Sequence, residues 1–176
     1  MAKSTWALDP THSEVGFKVK HMMFTNVSGK FNTYNVEISN EDDDFSSAEI
    51  SFSAEINSID TNNTDRDNHL KSGDFFDGEK FPNMTFKSTS IEKKSDSDYV
   101  IHGDLTIKDV TKSVALNAEY SGLMTDPWGN TKAGLSIDTK INRKDFGLTW
   151  NAALETGGVL VGEEVKIFAE IQVARQ

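Results

Sequence analysis

Alternation of apolar and polar residues dominates the chain and predicts β-strands. In the segment SEVGFKVKH, the apolar residues Val15, Phe17 and Val19 are separated by charged residues or glycine. A period of two sends successive side chains to opposite faces of a strand, so each such segment has one buried and one wet face. The same alternation recurs in five other segments, namely residues 48–56, 99–107, 114–120, 133–141 and 165–173.

Two further segments predict strands of less regular pattern. The segment GKFNTYNVEI changes phase between Phe31 and Tyr34, which predicts a β-bulge near Thr33. The segment NMTFKSTS carries Met84 and Phe86 and then turns polar. Together the segments predict about eight strands joined by short polar links, which is typical of an antiparallel meander. Such a meander can close into a barrel, and the same pattern also fits a two-sheet sandwich.

Small residues at several inward positions favour a barrel with a hollow interior. An eight-stranded barrel can hold one ligand inside, and small side chains leave space that larger ones would fill. A tapered solid core is packed with small residues too, so both interiors stay open at this point. The positions are Ala54, Gly103, Ala118, Ala133 and Ala169.

Composition narrows the partners that this chain can hold. A length of 176 residues fits one domain, residues 1–176, and 36% hydrophobic residues suit strands with one wet face. A net charge of −10 disfavours stable binding to nucleic acid or to anionic membranes. The chain has no cysteine, which excludes disulfides, thiol catalysis and thiolate metal sites.

The N-terminal sequence MAKSTWALDP has neither the apolar core nor the cleavage site of a signal peptide. We therefore expect a cytoplasmic protein, or a periplasmic one if a leader has been removed. No apolar run approaches the roughly 18 residues that a membrane-spanning helix needs, so we expect no stable membrane insertion.

Two irregular segments are rich in aromatic residues. The first gate segment, residues 61–82, predicts a short helix with Thr64 as its N-cap, Asp67 as capping-box partner and Gly73 as its stop. Its apolar residues are Leu70, Phe75, Phe76 and Phe81. The second gate segment, residues 142–162, carries Phe146, Leu148, Trp150, Leu154 and Leu160. Each residue could plug the barrel as core, but two such segments together indicate gates around an apolar ligand.

The charged residues of the first gate segment also raise metal and catalytic hypotheses. Asp65 and His69 share a helix face, but a zinc site needs further ligands, and the other histidines lack ligand-like spacing. His69 oriented by Asp65, or His12 beside Ser13, would suit an esterase-like hydrolase, although no G-x-S-x-G nucleophile elbow occurs. The hydrolase is the second hypothesis, and a solid-core interaction domain is the third.

One arginine falls in each gate segment. We expect Arg66 to form a bidentate hydrogen bond with a nearby carboxylate, such as that of Asp9, Asp74 or Asp145, and so to hold its loop in place. Arg143 either does the same or faces the head group of a ligand.

Four ordered blocks make the chain resemble the YceI-like family of bacterial polyisoprenoid-binding proteins. They are WALDPTHSEVGFKVKH, IDTNNTDRDNHLKSGDFFDGEKFP, GDLTIKDVTKSV, and INRKDFGLTWN followed by VGEEVKI. The resemblance implies an all-β fold, an extended eight-stranded antiparallel lipocalin-like barrel with a short helix and irregular gate loops. It also implies an apolar pocket for a bound polyisoprenoid lipid or quinone, quinone precursor or polyprenyl phosphate. It carries over no catalytic residues, so we predict a non-enzymatic protein that transports or sequesters such a lipid.

The predicted ligand-binding residues fall into three groups. No catalytic or metal-binding residue is predicted, and a barrel seam that opens at an edge strand would allow a homodimer. The inward strand residues are Phe17, Val19, Phe52, Ile101, Leu135 and Ile167. The gate residues are Leu70, Phe75, Phe76, Phe146, Trp150 and Leu154, and the head-group residues are His21 and Arg143.

Overall fold

The computed structural model describes residues 3–21, 25–41, 44–151 and 161–176. These residues form strands, one α-helix and three short 3-10 turns. The strands are β1 (Lys3–Leu8), β2 (Glu14–His21), β3 (Thr25–Phe31), β4 (Tyr34–Glu41), β5 (Asp44–Glu55), β6 (Ile59–Asp60), β7 (Asn83–Lys93), β8 (Asp98–Ile107), β9 (Val110–Thr125), β10 (Thr131–Asn142) and β11 (Val161–Arg175). The helix is α1 (Thr64–Lys71), and the 3-10 turns are Pro10–His12, Ile56–Ser58 and Arg143–Phe146.

Eight strands close into an antiparallel barrel. Neighbours around the ring are β1, β4, β5, β7, β8, β9, β10 and β11, and β11 pairs with β1 to complete it. Strands β2, β3 and β6 extend the sheet from the earlier part of β11. The predicted eight-stranded barrel is thus confirmed, and a two-sheet sandwich is not formed.

Two long strands of the barrel are each interrupted, so that β1 and β2 form one pair of consecutive segments and β3 and β4 form another. β1 and β2 both pair with β11, with Leu8 opposite Val173 and Phe17 opposite Ile167, and the 3-10 turn at Pro10–His12 separates them. β3 and β4 likewise part at residues 32–33, where β3 pairs with β2 while β4 pairs with β1. The predicted bulge near Thr33 is therefore wrong. The change of phase marks a complete break between strands with different partners.

The first turn of α1 differs from its prediction by one residue. The N-cap is Asn63, whose side-chain oxygen accepts a hydrogen bond from the backbone N–H of Arg66. Thr64 is the first helical residue, and Asp67 accepts instead from the backbone N–H and the hydroxyl of Thr61. Both Asn and Thr are good caps, so tertiary contacts of the loop decide between them. α1 has eight residues, and the described part of the chain holds no helix long and apolar enough to cross a membrane.

Aromatic side chains fill the end of the barrel that lies away from α1. The ring of Phe45 lies 5.0 Å from that of Tyr99 and 4.7 Å from that of Tyr120. Nearby, the indole N–H of Trp6 donates to Asn40 Oδ1 at 3.0 Å, which satisfies two buried polar groups. We call these five residues the floor, because they close the barrel interior at this end.

Small inward residues do not create the hollow. Ala54, Gly103, Ala118, Ala133 and Ala169 are all buried, as the alternation predicts. Only Ala169 among them lines the main cavity. At Gly103 an added Cβ would lie 2.4 Å from a ring carbon of Phe86, so an aromatic ring already occupies that space.

Candidate ligand-binding cavity

A cavity of about 310 Å³ runs through the barrel between the floor and α1. It is about twice the roughly 150 Å³ of an apolar cavity that stays dry and holds benzene. Its lining follows β10 from Leu135 to Ile141 and β11 from Val165 to Ile171. Six residues of strand span roughly 20 Å at about 3.3 Å per residue. The lining therefore extends along much of the length of these strands, which suits a long chain.

The walls of the cavity are aliphatic and aromatic. Every inward strand residue predicted from the sequence lines it, namely Phe17, Val19, Phe52, Ile101, Leu135 and Ile167. Other lining residues belong to the same alternating faces, although the alternation does not distinguish them from the remaining inward residues. They include Met84, Phe86, Leu105, Ile137, Val165 and Ile171.

Residues of both gate segments pack together over the cavity. The ring of Trp150 lies 5.4 Å from that of Phe75 and 4.6 Å from the imidazole of His69. The ring of Phe76 lies 6.3 Å from that of Phe31, which itself lies 5.9 Å from Phe17. The predicted gate residues Leu70, Phe75, Phe76 and Trp150 all line the cavity.

Phe146, a predicted gate residue, does not line the cavity. It is 2% exposed and ends the 3-10 turn Arg143–Phe146. It packs in the hydrophobic core, which is the alternative that the sequence analysis left open for the gate residues. Gly147 follows with a φ of 78°, which reverses the chain directly after that buried ring. The predicted gate residue Leu154, with Leu160, lies outside the described residues.

Arg143 ties the second gate segment to the start of β11. Its Nη1 donates to the carbonyls of Leu148 at 2.6 Å and Trp150 at 2.9 Å. Its Nε and Nη2 donate to the carbonyls of Gly162 at 2.8 Å and Val161 at 3.2 Å. The residue is only 3% exposed, and burial lowers the pKa of its guanidinium, with the charge of nearby Glu163 acting in the opposite direction.

Arg66 is anchored by Thr61, and the expectation of a carboxylate partner is wrong. Its Nε donates to the Thr61 hydroxyl at 2.8 Å, and its Nη2 donates to the Thr61 carbonyl at 2.6 Å. The same hydroxyl donates to the carboxylate of Asp67. Asp74, one of the expected partners, instead lies 2.9 Å from Nε2 of His69. Arg66 thus keeps its loop in place through neutral groups and also lines the cavity.

The residues of the hydrolase hypothesis have other partners. His69 meets Asp74, and the expected orienting residue Asp65 is exposed. His12 lies 2.9 Å from Asp9, while the Ser13 hydroxyl donates to the Asp9 carbonyl and accepts from the Gln172 backbone. Within the described ranges, no cluster of three His, Asp or Glu side chains is placed to hold a metal ion.

The described ionisable side chains that line the cavity are lysine, arginine and histidine. Among the described lining residues, every ionisable side chain is basic. Both predicted head-group residues, His21 and Arg143, belong to this set. Sequence analysis missed the other three as a group, since they are scattered along the chain. The full set is Lys20, His21, Arg66, His69 and Arg143.

Comparisons with known proteins agree with this architecture. A sequence model of the YceI-like domain matches residues 6–173. A UPF0312 protein of Staphylococcus aureus is 37% identical over 170 residues, which covers 96% of each chain. The crystal structure of the Campylobacter jejuni YCEI protein is 33% identical, covers 96% of both chains and superposes with a TM-score of 0.76.

More distant structures share the fold. BcnA of Burkholderia cenocepacia superposes with a TM-score of 0.80 at 19% identity, over 94% of this chain and 98% of the other. A domain of Saccharophagus degradans, described as polyisoprenoid-binding and implicated in plant cell wall breakdown, superposes with a TM-score of 0.71 at 12% identity. That match covers 96% of this chain and 97% of the domain.

Proposed function

Because the chain belongs to the YceI-like family, we propose that it binds a long-chain amphiphile in its barrel cavity, with a polyisoprenoid as the foremost candidate. The bound molecule would be a quinone, a quinone precursor or a polyprenyl phosphate, which the protein transports or sequesters without chemical change. The polyisoprenoid-binding description of the Saccharophagus degradans neighbour supports this ligand class.

The long apolar cavity is the observation that carries the proposal. Burial of an apolar chain contributes roughly 25 cal/mol per Å² of area removed from water. Ordering the chain and the side chains around it offsets part of that gain. Most of the lining is aliphatic and aromatic, which suits retention of an apolar chain. In a solid-core interaction domain, side chains would fill the interior of the barrel.

Mass spectrometry of the purified protein tests the proposal, first in the native state and then after extraction with organic solvent. We expect a prenyl lipid or quinone in a one-to-one ratio with the chain. Because the cavity selects by apolar shape, protein emptied by extraction should take up added quinone or polyprenyl phosphate. A protein that carries no lipid and takes up neither compound would contradict the proposal.

A further inference from the structure

The hairpin between β9 and β10 carries the exposed apolar surface of the protein. Among the described residues, three large hydrophobic side chains are exposed, and all three lie in this hairpin. Leu123 is 40% exposed, Met124 is 64% exposed and Trp128 is 82% exposed. One exposed apolar residue is ordinary, whereas a cluster on one element is typical of a surface that another molecule covers.

The same hairpin has a free strand edge. β9 pairs with β8 only as far as Glu119, and the backbone N–H of Tyr120 then donates to the carbonyl of Ser97. β9 continues past the floor to Thr125 and is paired there with β10 on its other side. Residues 121–125, which we call the β9 edge, therefore present backbone N–H and C=O groups on a side that no strand of the described chain covers.

The turn at the tip of the hairpin holds Trp128 in a fixed backbone position. Oδ1 of Asp126 accepts hydrogen bonds from the backbone N–H groups of Trp128 and Asn130, both at 2.9 Å. Gly129 has a φ of 85°, a left-handed conformation that glycine adopts without strain. Nζ of Lys132 lies 3.5 Å from Oδ2 of Asp126, so the carboxylate of the tip has a cation beside it. Because the turn is already ordered, covering it costs little conformational entropy.

The charge of the chain restricts which edge can meet a second copy. A net charge of −10 makes two copies repel each other. Residues 120–125 read YSGLMT and contain no charged side chain, so two β9 edges can pair without like charges opposite each other. β5 also extends beyond its pairing with β7, which runs only from Ser51 to Glu55. That part of β5 carries Asp44 and Glu49, which antiparallel pairing with a second copy would place opposite each other.

We propose that the β9 edge pairs with the β9 edge of a second copy of this chain, in an antiparallel dimer with two-fold symmetry. A two-fold contact uses the same surface twice, and the β9 edge supplies both the backbone groups and the apolar side chains that such a contact needs. Leu123, Met124 and Trp128 are covered in the dimer. The β9 edge lies beyond the floor and does not line the cavity, so the inference is independent of the proposed function.

The contact is small, and its size sets the expected affinity. Stable interfaces of ordinary size bury roughly 1,600 Å² in total, and weak, transient ones bury less than about 1,200 Å². A short strand segment and three apolar side chains from each copy belong to the second class. We therefore expect a reversible dimer with a dissociation constant in the micromolar range.

Sedimentation-velocity ultracentrifugation over a range of protein concentrations tests the inference. We expect monomer at low concentration and dimer at high concentration. Met124→Lys should weaken the dimer about tenfold or more, because the two-fold axis brings each new ammonium close to its copy. The control is Asn35→Lys, at an exposed position of β4, which should leave association unchanged. Both variants change the net charge equally, so a difference between them reports the contact and not general repulsion.

Cysteine cross-linking locates the contact independently. The chain has no cysteine, so a single introduced thiol reports on one position. A disulfide forms only when the two Cα atoms lie within about 7 Å of each other. Leu123→Cys and Met124→Cys are the test variants, and we expect at least one of them to give a covalent dimer under mild oxidation. Asn35→Cys, the control, should stay monomeric.

Three results would overturn the inference. The first is a protein that stays monomeric up to the highest concentration at which it is soluble. The second is a dimer that Met124→Lys leaves intact and that neither test cysteine cross-links, because its interface would then lie elsewhere. The third is a monomer that sediments with phosphatidylcholine vesicles and loses this binding in Trp128→Ser, since the hairpin would then be a lipid-surface anchor.

Discussion

At the scale of single residues, Arg143 explains how an irregular segment keeps a defined shape. Its guanidinium donates to four backbone carbonyls, two in residues 148–150 and two in residues 161–162. A planar fork with five N–H groups suits this task, whereas a lysine ammonium does not. The same residue therefore fixes the edge of the cavity and places a positive charge there.

Replacement of Arg143 should cost more stability than loss of a surface charge. Arg143→Gln leaves several buried carbonyls without donors, and we expect the free energy of unfolding to fall by about 3 kcal/mol. Urea unfolding followed by circular dichroism measures this change. The control is Lys144→Gln, which removes an exposed ion pair with Glu163 and should cost less than about 1 kcal/mol. Similar losses in the two variants would contradict this account of Arg143.

Asp9 supplies a pH-dependent contribution where β1 meets the Pro10–His12 turn. Its carboxylate accepts from the hydroxyl and backbone N–H of Thr11 and contacts Nδ1 of His12. These contacts, with the Thr11 hydroxyl foremost, lower the pKa of Asp9 from 3.8 to about 2. A carboxyl group whose pKa falls on folding stabilises the protein above its unfolded pKa, and this contribution disappears as the pH drops through the folded pKa.

Asp9→Asn should therefore destabilise the protein in a pH-dependent way. We expect the variant to be less stable than wild type at pH 7, with the difference shrinking as the pH falls from about 4 to about 2. Urea unfolding at a series of pH values measures it. Asp96→Asn, at a fully exposed position, is the control and should give a small difference. A difference for Asp9→Asn that stays constant across this range would refute the linkage.

At the scale of elements, the alternation of the strands was predictable and their partners were not. A period of two is local, so it identified which side chains of β2, β5, β8, β10 and β11 face inward. The break at residues 32–33 arises because β3 pairs with β2 while β4 pairs with β1. Both pairings join segments that are separated along the chain, so a local pattern does not reveal them. The cap of α1 was missed by one residue for a similar reason, because Asp67 is used to hold Thr61.

Strand β5 offers a test of the inward faces. Phe52 lines the cavity, and its neighbour Ser51 points outward and is exposed. Phe52→Asp would place a carboxylate in an apolar wall, where an unpaired charge is costly, so we expect it to abolish lipid retention. Ser51→Asp should retain lipid as wild type does. Extraction and mass spectrometry of both folded variants measure retention, and wild-type retention in Phe52→Asp would remove Phe52 from the binding site.

At the scale of the whole molecule, the cavity was predicted on partly wrong grounds. Small inward residues were expected to provide the space, but the ring of Phe86 fills the gap at Gly103. The two aromatic gate segments were the better indicator, since Phe75 and Trp150 do come together over the hollow. His21 and Arg143 were predicted as polar residues near a ligand, but the full set of basic residues around the cavity was not, because only barrel closure brings its members together.

The floor closes the cavity at one end. Trp6, Phe45, Tyr99 and Tyr120 block one end, so an amphiphile bound as proposed would enter and leave past α1. Its tail would go in first, and its head would come out first. Exchange would then be sequential, because a second molecule could not enter from the opposite end and displace the first. An acceptor would have to contact the protein on the α1 side and bind the head group before the tail is free.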